Sequence, residues 1–245
     1  EIDAYFQPKL SADGEHCVGL EALARWRHPK FGLLEPALFV PRAEALDTEY
    51  ELAAYMLERA CDQAVELEKS GWQIPVSLNV SLKSLENVEF PSLVEKTLTT
   101  RNLAPHALVI EVTETAFSVR TAYTLESLAR LRMLGVGLSI DDYGTGYSSL
   151  LQLSGIPFTE LKIDQVFVSR IHKDERFQAI VRSTLEMALA LDMKTVAEGV
   201  ELPEQAALLH DLGCQQLQGF LYAKPMPGNE LPDWLTRHPP DNQVL

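Results

Sequence analysis

Cysteine is scarce in this chain, three residues in 245, and Cys17, Cys61 and Cys214 stand far apart. That excludes a disulfide framework and shows no zinc spacing, so a reducing, cytoplasmic setting is expected. Long apolar runs are also missing. Nothing approaches the roughly 20 residues of a membrane span, and no signal peptide opens the chain. Basic residues are outnumbered, 21 Lys and Arg against 35 Asp and Glu, for a formal net charge of -14. So acidic a chain is a poor partner for DNA, for RNA polymers or for anionic membranes. An anionic substrate would need something other than the overall field to hold it, and bound cations would serve. No GxGxxG, P-loop or HExxH sequence occurs. No Pro/Ser/Gly linker divides the chain, so residues 1–245 are expected to form one domain. Its abrupt start at Glu1, beside a first strand, suits a domain cut from a longer protein.

What is present alternates between strand and helix. Tyr5 to Leu10 and Cys17 to Leu23 read as a hairpin closed by Ser11–Ala12–Asp13–Gly14. Pro36 and Pro41 break the next stretch into loop and short helix. From Asp47 to Ser70 apolar residues recur at helical spacing, and Gly71 stops the helix. Strands follow over Pro75–Val80, Ala107–Val112, Val136–Ile140, Phe158–Ile163, Lys194–Ala197 and Gln215–Leu221. Helices intervene over Pro91–Asn102, Ala122–Leu134, Phe177–Leu191 and Pro203–Leu212. This order predicts an α/β fold with mainly parallel strands, either a barrel or a doubly wound open sheet. A barrel occupies roughly 250 residues, which matches this length.

The informative regularity is a polar residue at or near the end of each strand: Glu21, Asn79, Glu111, Asp141 with Asp142, Lys162 with Asp164, Glu198 and Gln218. Barrel active sites form where strand ends from distant parts of the sequence converge. The Asp141–Asp142 pair alone reads more readily as a solvated turn with an Asx cap, the commoner fate of such a pair, with a metal site as the alternative. Several acids in one mouth, however, raise one another's pKa unless cations sit among them. Oxygen ligands of this kind select hard ions, Mg²⁺ or Mn²⁺ before zinc, with Ca²⁺ also possible. Two such ions can activate a water and stabilise the leaving oxygen of a phosphate ester. Lys162 is the cation among the acids, either positioning that water or pairing with a neighbouring carboxylate. Arg25 is a candidate phosphate clamp.

These residues fall in motifs that resemble the EAL-domain cyclic di-GMP phosphodiesterases: EALARW from Glu21, LNVS around Asn79, EVTE from Glu111, DDYGTGYSSL from Asp141, LKID from Leu161, AEGVE from Ala197 and QGFLYAKP from Gln218. The resemblance runs from Gln7–Pro8 to Pro227. It implies a TIM-like (β/α)8 barrel whose first strand is antiparallel to the rest. It further implies hydrolysis of one phosphodiester of cyclic di-GMP to the linear dinucleotide pGpG, dependent on two Mg²⁺ or Mn²⁺ and inhibited by Ca²⁺. By position, Glu21, Asn79, Glu111 and Asp141 would hold the first metal; Asp141, Asp142 and Glu198 would hold the second. Lys162 would contact the attacking water with Asp164 nearby, and Gln7, Arg25 and Gln218 would touch the dinucleotide. Glu114 would steady the loop after the Asp pair, a loop implicated in forming a homodimer. A regulatory domain is expected in the full-length chain. Two residues depart from the family: Tyr143 where Phe is usual, and Ala223 where Ser is frequent. The competing expectations are a cyclic di-GMP receptor with little turnover, or another two-metal barrel hydrolase.

Overall fold

The first hairpin forms and then closes a barrel. A computed structural model of the chain describes residues 1–114, 121–144 and 155–240. Strands β1 (Ile2–Ser11) and β2 (Cys17–His28) pair antiparallel with Gln7 opposite Glu21, and Gly14 turns between them at φ 76°. β2 runs past the expected Leu23 and pairs with a short β3 (Gly32–Leu34) that the Pro29 loop sequence concealed. Pro36 and Pro41 then sit in one helix, α1 (Pro36–Ala45), instead of separating a loop from a helix. Pro36 occupies the first turn, where no N–H is needed, and Pro41 forfeits one internal hydrogen bond.

Helix α2 (Glu49–Lys69) buries Ala53, Met56, Leu57, Ala60, Cys61, Ala64 and Leu67, the three- and four-residue spacing of one helical face. Leu57 is fully buried. Leu57→Ala should therefore cost about 2–5 kcal/mol of unfolding free energy, read as a lower urea midpoint at unchanged slope.

The alternation continues with β4 (Val76–Asn79), α3 (Leu82–Glu86), α4 (Phe90–Arg101), β5 (Leu108–Thr113), α5 (Ala122–Leu134) and β6 (Gly137–Tyr143). After it come β7 (Glu160–Ile163), α6 (Gln165–Val168), α7 (Glu175–Ala190), β8 (Lys194–Ala197), α8 (Pro203–Asp211) and β9 (Gln216–Leu217). The chain ends in β10 (Met226–Pro227) and α9 (Leu231–Leu235). The last barrel strand is shorter than expected. Beyond Leu217 the backbone turns to bond Val200, and a Cβ on Gly219 would lie 2.1 Å from the Val200 carbonyl oxygen. Only glycine permits that approach.

The sheet order β1-β9-β8-β7-β6-β5-β4-β2, with β1 returning to β2, is a closed eight-stranded barrel. Within the barrel every pairing along β2-β4-β5-β6-β7-β8-β9 is parallel, while β1 is antiparallel to its barrel neighbours β2 and β9, and the short β3 adds to β2 antiparallel outside the ring. Residues alternate faces along each strand. Leu78, Ile110, Val112, Leu138, Ile140, Leu161 and Ile163 pack in the apolar core. The residues between them, Ser77, Glu111, Ser139, Asp141, Glu160 and Lys162, face the barrel axis. Among the described residues no helix is long and apolar enough to cross a membrane.

Candidate active site

The strand-end residues converge on one buried ammonium. Lys162, fully buried on β7, reaches Glu111 Oε2 at 2.7 Å, Glu198 Oε1 at 2.7 Å, Asp141 Oδ1 at 3.2 Å and Glu21 Oε2 at 3.3 Å. These four acids come from β5, β6, β2 and the turn after β8. Burial disfavours its charged form, but Asp141, Glu111, Glu198 and Glu21 hold its pKa well above the usual lysine value. A second lysine lies deeper. Lys9, on β1, donates to Ser77 Oγ, Glu111 Oε1 and Glu160 Oε1 at 2.7–2.8 Å. Burial pushes the Glu111 carboxyl up, yet the Lys162 and Lys9 ammonium groups overcome it and bring its pKa down to about 2.

Glu21 accepts hydrogen bonds from Asn79 Nδ2 and Gln218 Nε2, both at 2.7 Å. Gln218 also donates to Gln7 Oε1 at 3.3 Å, and Gln7 donates to the Ala223 carbonyl at 3.1 Å. Gln218 Oε1 is buried without a hydrogen-bond partner among the described residues. Arg25 is placed differently. It donates to the Ala24 carbonyl at 2.9 Å and lies 5.9 Å from the Tyr5 ring centroid.

Two adjacent strand residues ordinarily point to opposite faces. Asp141 and Asp142 share a site because β6 carries a bulge between Ile140 and Tyr143, where Asp142 takes φ 55°. A bulge adds one residue to a strand and re-aims its side chains. Asp141, Asp142 and Glu198 can thus each offer an oxygen, the three lying within 4.8 Å of one another. Burial, Asp141 and a hydrogen bond with Asp164 push the Asp142 carboxyl up to about 6. Burial raises Glu21 and Glu198 as well, despite Lys162. Asp164 also caps α6, accepting from the Val166 N–H at 2.7 Å.

Glu114 Oε2 accepts from the Gly144 N–H at 2.8 Å, tying the end of β5 to the exit of the acidic pair. The remainder of the loop proposed for dimer contact, Thr145 onward, lies outside the described residues. The hydroxyl that distinguishes Tyr143 from phenylalanine points to Met187 Sδ at 3.4 Å.

The raised acids make a pH prediction. Asp142 holds its proton in the folded state up to about 6 but releases it near 3.8 when unfolded. Between those values the folded state binds more protons, so stability falls as pH rises. Glu21 and Glu198 act in the same direction. Metal-free protein should therefore melt at higher temperature at pH 5 than at pH 7 in chelator. A flat or inverted profile would show that these carboxyls are not held protonated. Glu111 has the opposite sign: its contribution is complete above 4.5 and is lost toward pH 2.

A cleft of about 280 Å³ opens onto Glu21, Asp142, Asp164, Glu198 and Gln218, with Gln7 and Phe220 on its wall. Phe220 is 55% exposed, and Lys224 Nζ stands 5.4 Å from its ring centroid. An apolar hollow of about 510 Å³ is lined by residues of α1, α2 and the barrel strands, Asn79 and Glu111 among them. The donor set consists of the carboxylates of Glu21, Glu111, Asp141, Asp142 and Glu198 with the Asn79 amide, and three of these acids already offer oxygens within 4.8 Å of one another. It suits hard divalent cations.

Comparison with known proteins agrees with this geometry. Residues 1–225 match the model of the EAL domain family. An uncharacterized signaling protein of Caulobacter vibrioides is 40% identical over 98% of this chain and 29% of its own length. Cyclic di-GMP phosphodiesterase RocR of Pseudomonas aeruginosa is 37% identical over 96% of this chain and 60% of its own. The solved PaMucR phosphodiesterase in complex with c-di-GMP superposes with a TM-score of 0.90 at 38% identity, covering 94% of each chain. The chain thus spans from under a third to three-fifths of the length of these two curated relatives.

Proposed function

The chain belongs to the EAL domain family, and on that premise we propose that it hydrolyses one phosphodiester of cyclic di-GMP to linear pGpG. The convergence of Glu21, Glu111, Asp141 and Glu198 on Lys162 carries this reading. Glu21, Asn79, Glu111 and Asp141 would hold one divalent cation; Asp141, Asp142 and Glu198 would hold a second. Such a pair, Mg²⁺ or Mn²⁺, supplies Lewis-acid stabilisation of the diester charge and acidifies water. Ca²⁺ would inhibit.

Lys162 donates a hydrogen bond to the attacking water and sets its approach to phosphorus, with Asp164 beside Asp142. A P–O bond forms to water as the bond from phosphorus to the 3′ oxygen breaks. The departing oxygen takes a proton, and the product keeps a 5′-phosphate. Gln7, Arg25 and Gln218 orient the dinucleotide, Gln7 and Gln218 lining the cleft onto which Glu21, Asp142 and Glu198 open. Glu114 holds the loop after Asp142 in place. The chain acts in the cytoplasm, as a homodimer, and works under a regulatory domain within a longer protein.

The deciding assay incubates purified protein with cyclic di-GMP and Mg²⁺ or Mn²⁺ and follows pGpG. Tight binding without product at several protein concentrations would make the domain a receptor. No interaction with cyclic di-GMP would point to a different two-metal hydrolase. Glu198→Ala should lower bound Mn²⁺ from two ions to one per chain, counted by equilibrium dialysis; an unchanged count would remove Glu198 from the second site.

A further inference from the structure

The feature left unassigned lies beneath the acids. Lys9 is 1% exposed, and its ammonium donates to Ser77 Oγ at 2.8 Å, Glu111 Oε1 at 2.8 Å and Glu160 Oε1 at 2.7 Å. An ammonium has three protons to donate, and these three contacts occupy them. Glu111, fully buried, is thereby divided between two lysines. Lys9 holds Oε1, while Lys162 holds Oε2 at 2.7 Å. The two lysines are not equivalent. Lys162 also pairs with Glu21, Asp141 and Glu198, whereas Glu111 is the one proposed cation ligand to which Lys9 is bonded.

We propose that Lys9 is a positioning residue for the first cation: it fixes Glu111 through Oε1, so that Oε2 is the oxygen presented to the metal. Glu160 and Ser77, from β7 and β4, fix Lys9 in turn. This rests on the reading of Glu111 as a metal ligand. Partners that hold a metal ligand from behind set its orientation and charge, and their loss typically weakens metal binding about 10- to 100-fold. The bland alternative is that Lys9 merely neutralises Glu160 inside the barrel.

Mn²⁺ binding, followed by the electron paramagnetic resonance of the free ion, separates these roles in wild type, Lys9→Met and the Lys9→Met/Glu160→Gln double variant. Thermal unfolding in chelator is measured beside it. Lys9→Met should weaken the tighter Mn²⁺ site about 10- to 100-fold. In the double variant no isolated Glu160 charge remains, so the melting temperature should recover toward wild type while Mn²⁺ stays weakly bound. Wild-type affinity in either variant would overturn the proposal. Failure of both variants to fold would do the same, assigning Lys9 to stability alone. Absence of Mn²⁺ binding by the wild type would instead defeat the two-cation reading itself.

Discussion

Lys162→Met should destabilise the metal-free protein by about 3–5 kcal/mol and abolish turnover. The side chain is of similar length, so the change is chiefly electrostatic. It strips the shared counterion from Glu111, Glu198, Asp141 and Glu21. Removing one partner of a buried pair costs more than the pair contributed, because the remaining charge stays desolvated. Urea denaturation in chelator at pH 7 measures the loss. Saturating Mn²⁺ should then restore most of the stability, since cations replace the missing charge, but it should not restore hydrolysis. Recovery of both together would reduce Lys162 to a counterion and remove it from contact with the attacking water.

Glu21→Ala should lower turnover on the order of 1000-fold, equivalent to about 4 kcal/mol on the barrier, through loss of the first cation. Its carboxylate gathers Asn79, Gln218 and Lys162, so alanine removes a ligand and disperses its neighbours together. The fold should stay cooperative, because Lys162 keeps three other acids. Steady-state kinetics across a Mn²⁺ titration, with a calorimetric melt, tests both halves. Normal turnover at ordinary Mn²⁺ would refute Glu21 as a ligand of the first cation.

The barrel order and its upper ring of acids were legible because each strand carries a polar residue where the helix-bound chain leaves the sheet. The layer beneath was not. Ser77, Ser139 and Glu160 precede Asn79, Asp141 and Lys162 by two residues and share their faces, yet looking only at strand ends passes over them. Lys9 was hidden by direction. β1 runs against the other barrel strands, so its inner residues meet the site from mid-strand, two places after Gln7. The signal was an i, i+2 pair of polar residues in an apolar strand. Arg25, a candidate from its chemistry, is tied to Ala24 and Tyr5 instead of the acids, which spacing alone does not reveal. The Asp141–Asp142 pair read as a turn because an acidic pair before glycine is commonly an Asx-capped turn, and the bulge that brings both side chains to one site has no residue signature here.

That bulge bears on how such a domain can drift. Asp142 stands at φ 55°, a region that glycine, asparagine and aspartate enter easily and β-branched residues avoid. Few replacements keep the backbone. Asparagine does, lies one nucleotide away from aspartate in the genetic code, and would withdraw a charge from the proposed second cation site. On the proposed function, one such mutational step would leave the barrel backbone and its cleft in place while weakening the cation site on which cleavage depends.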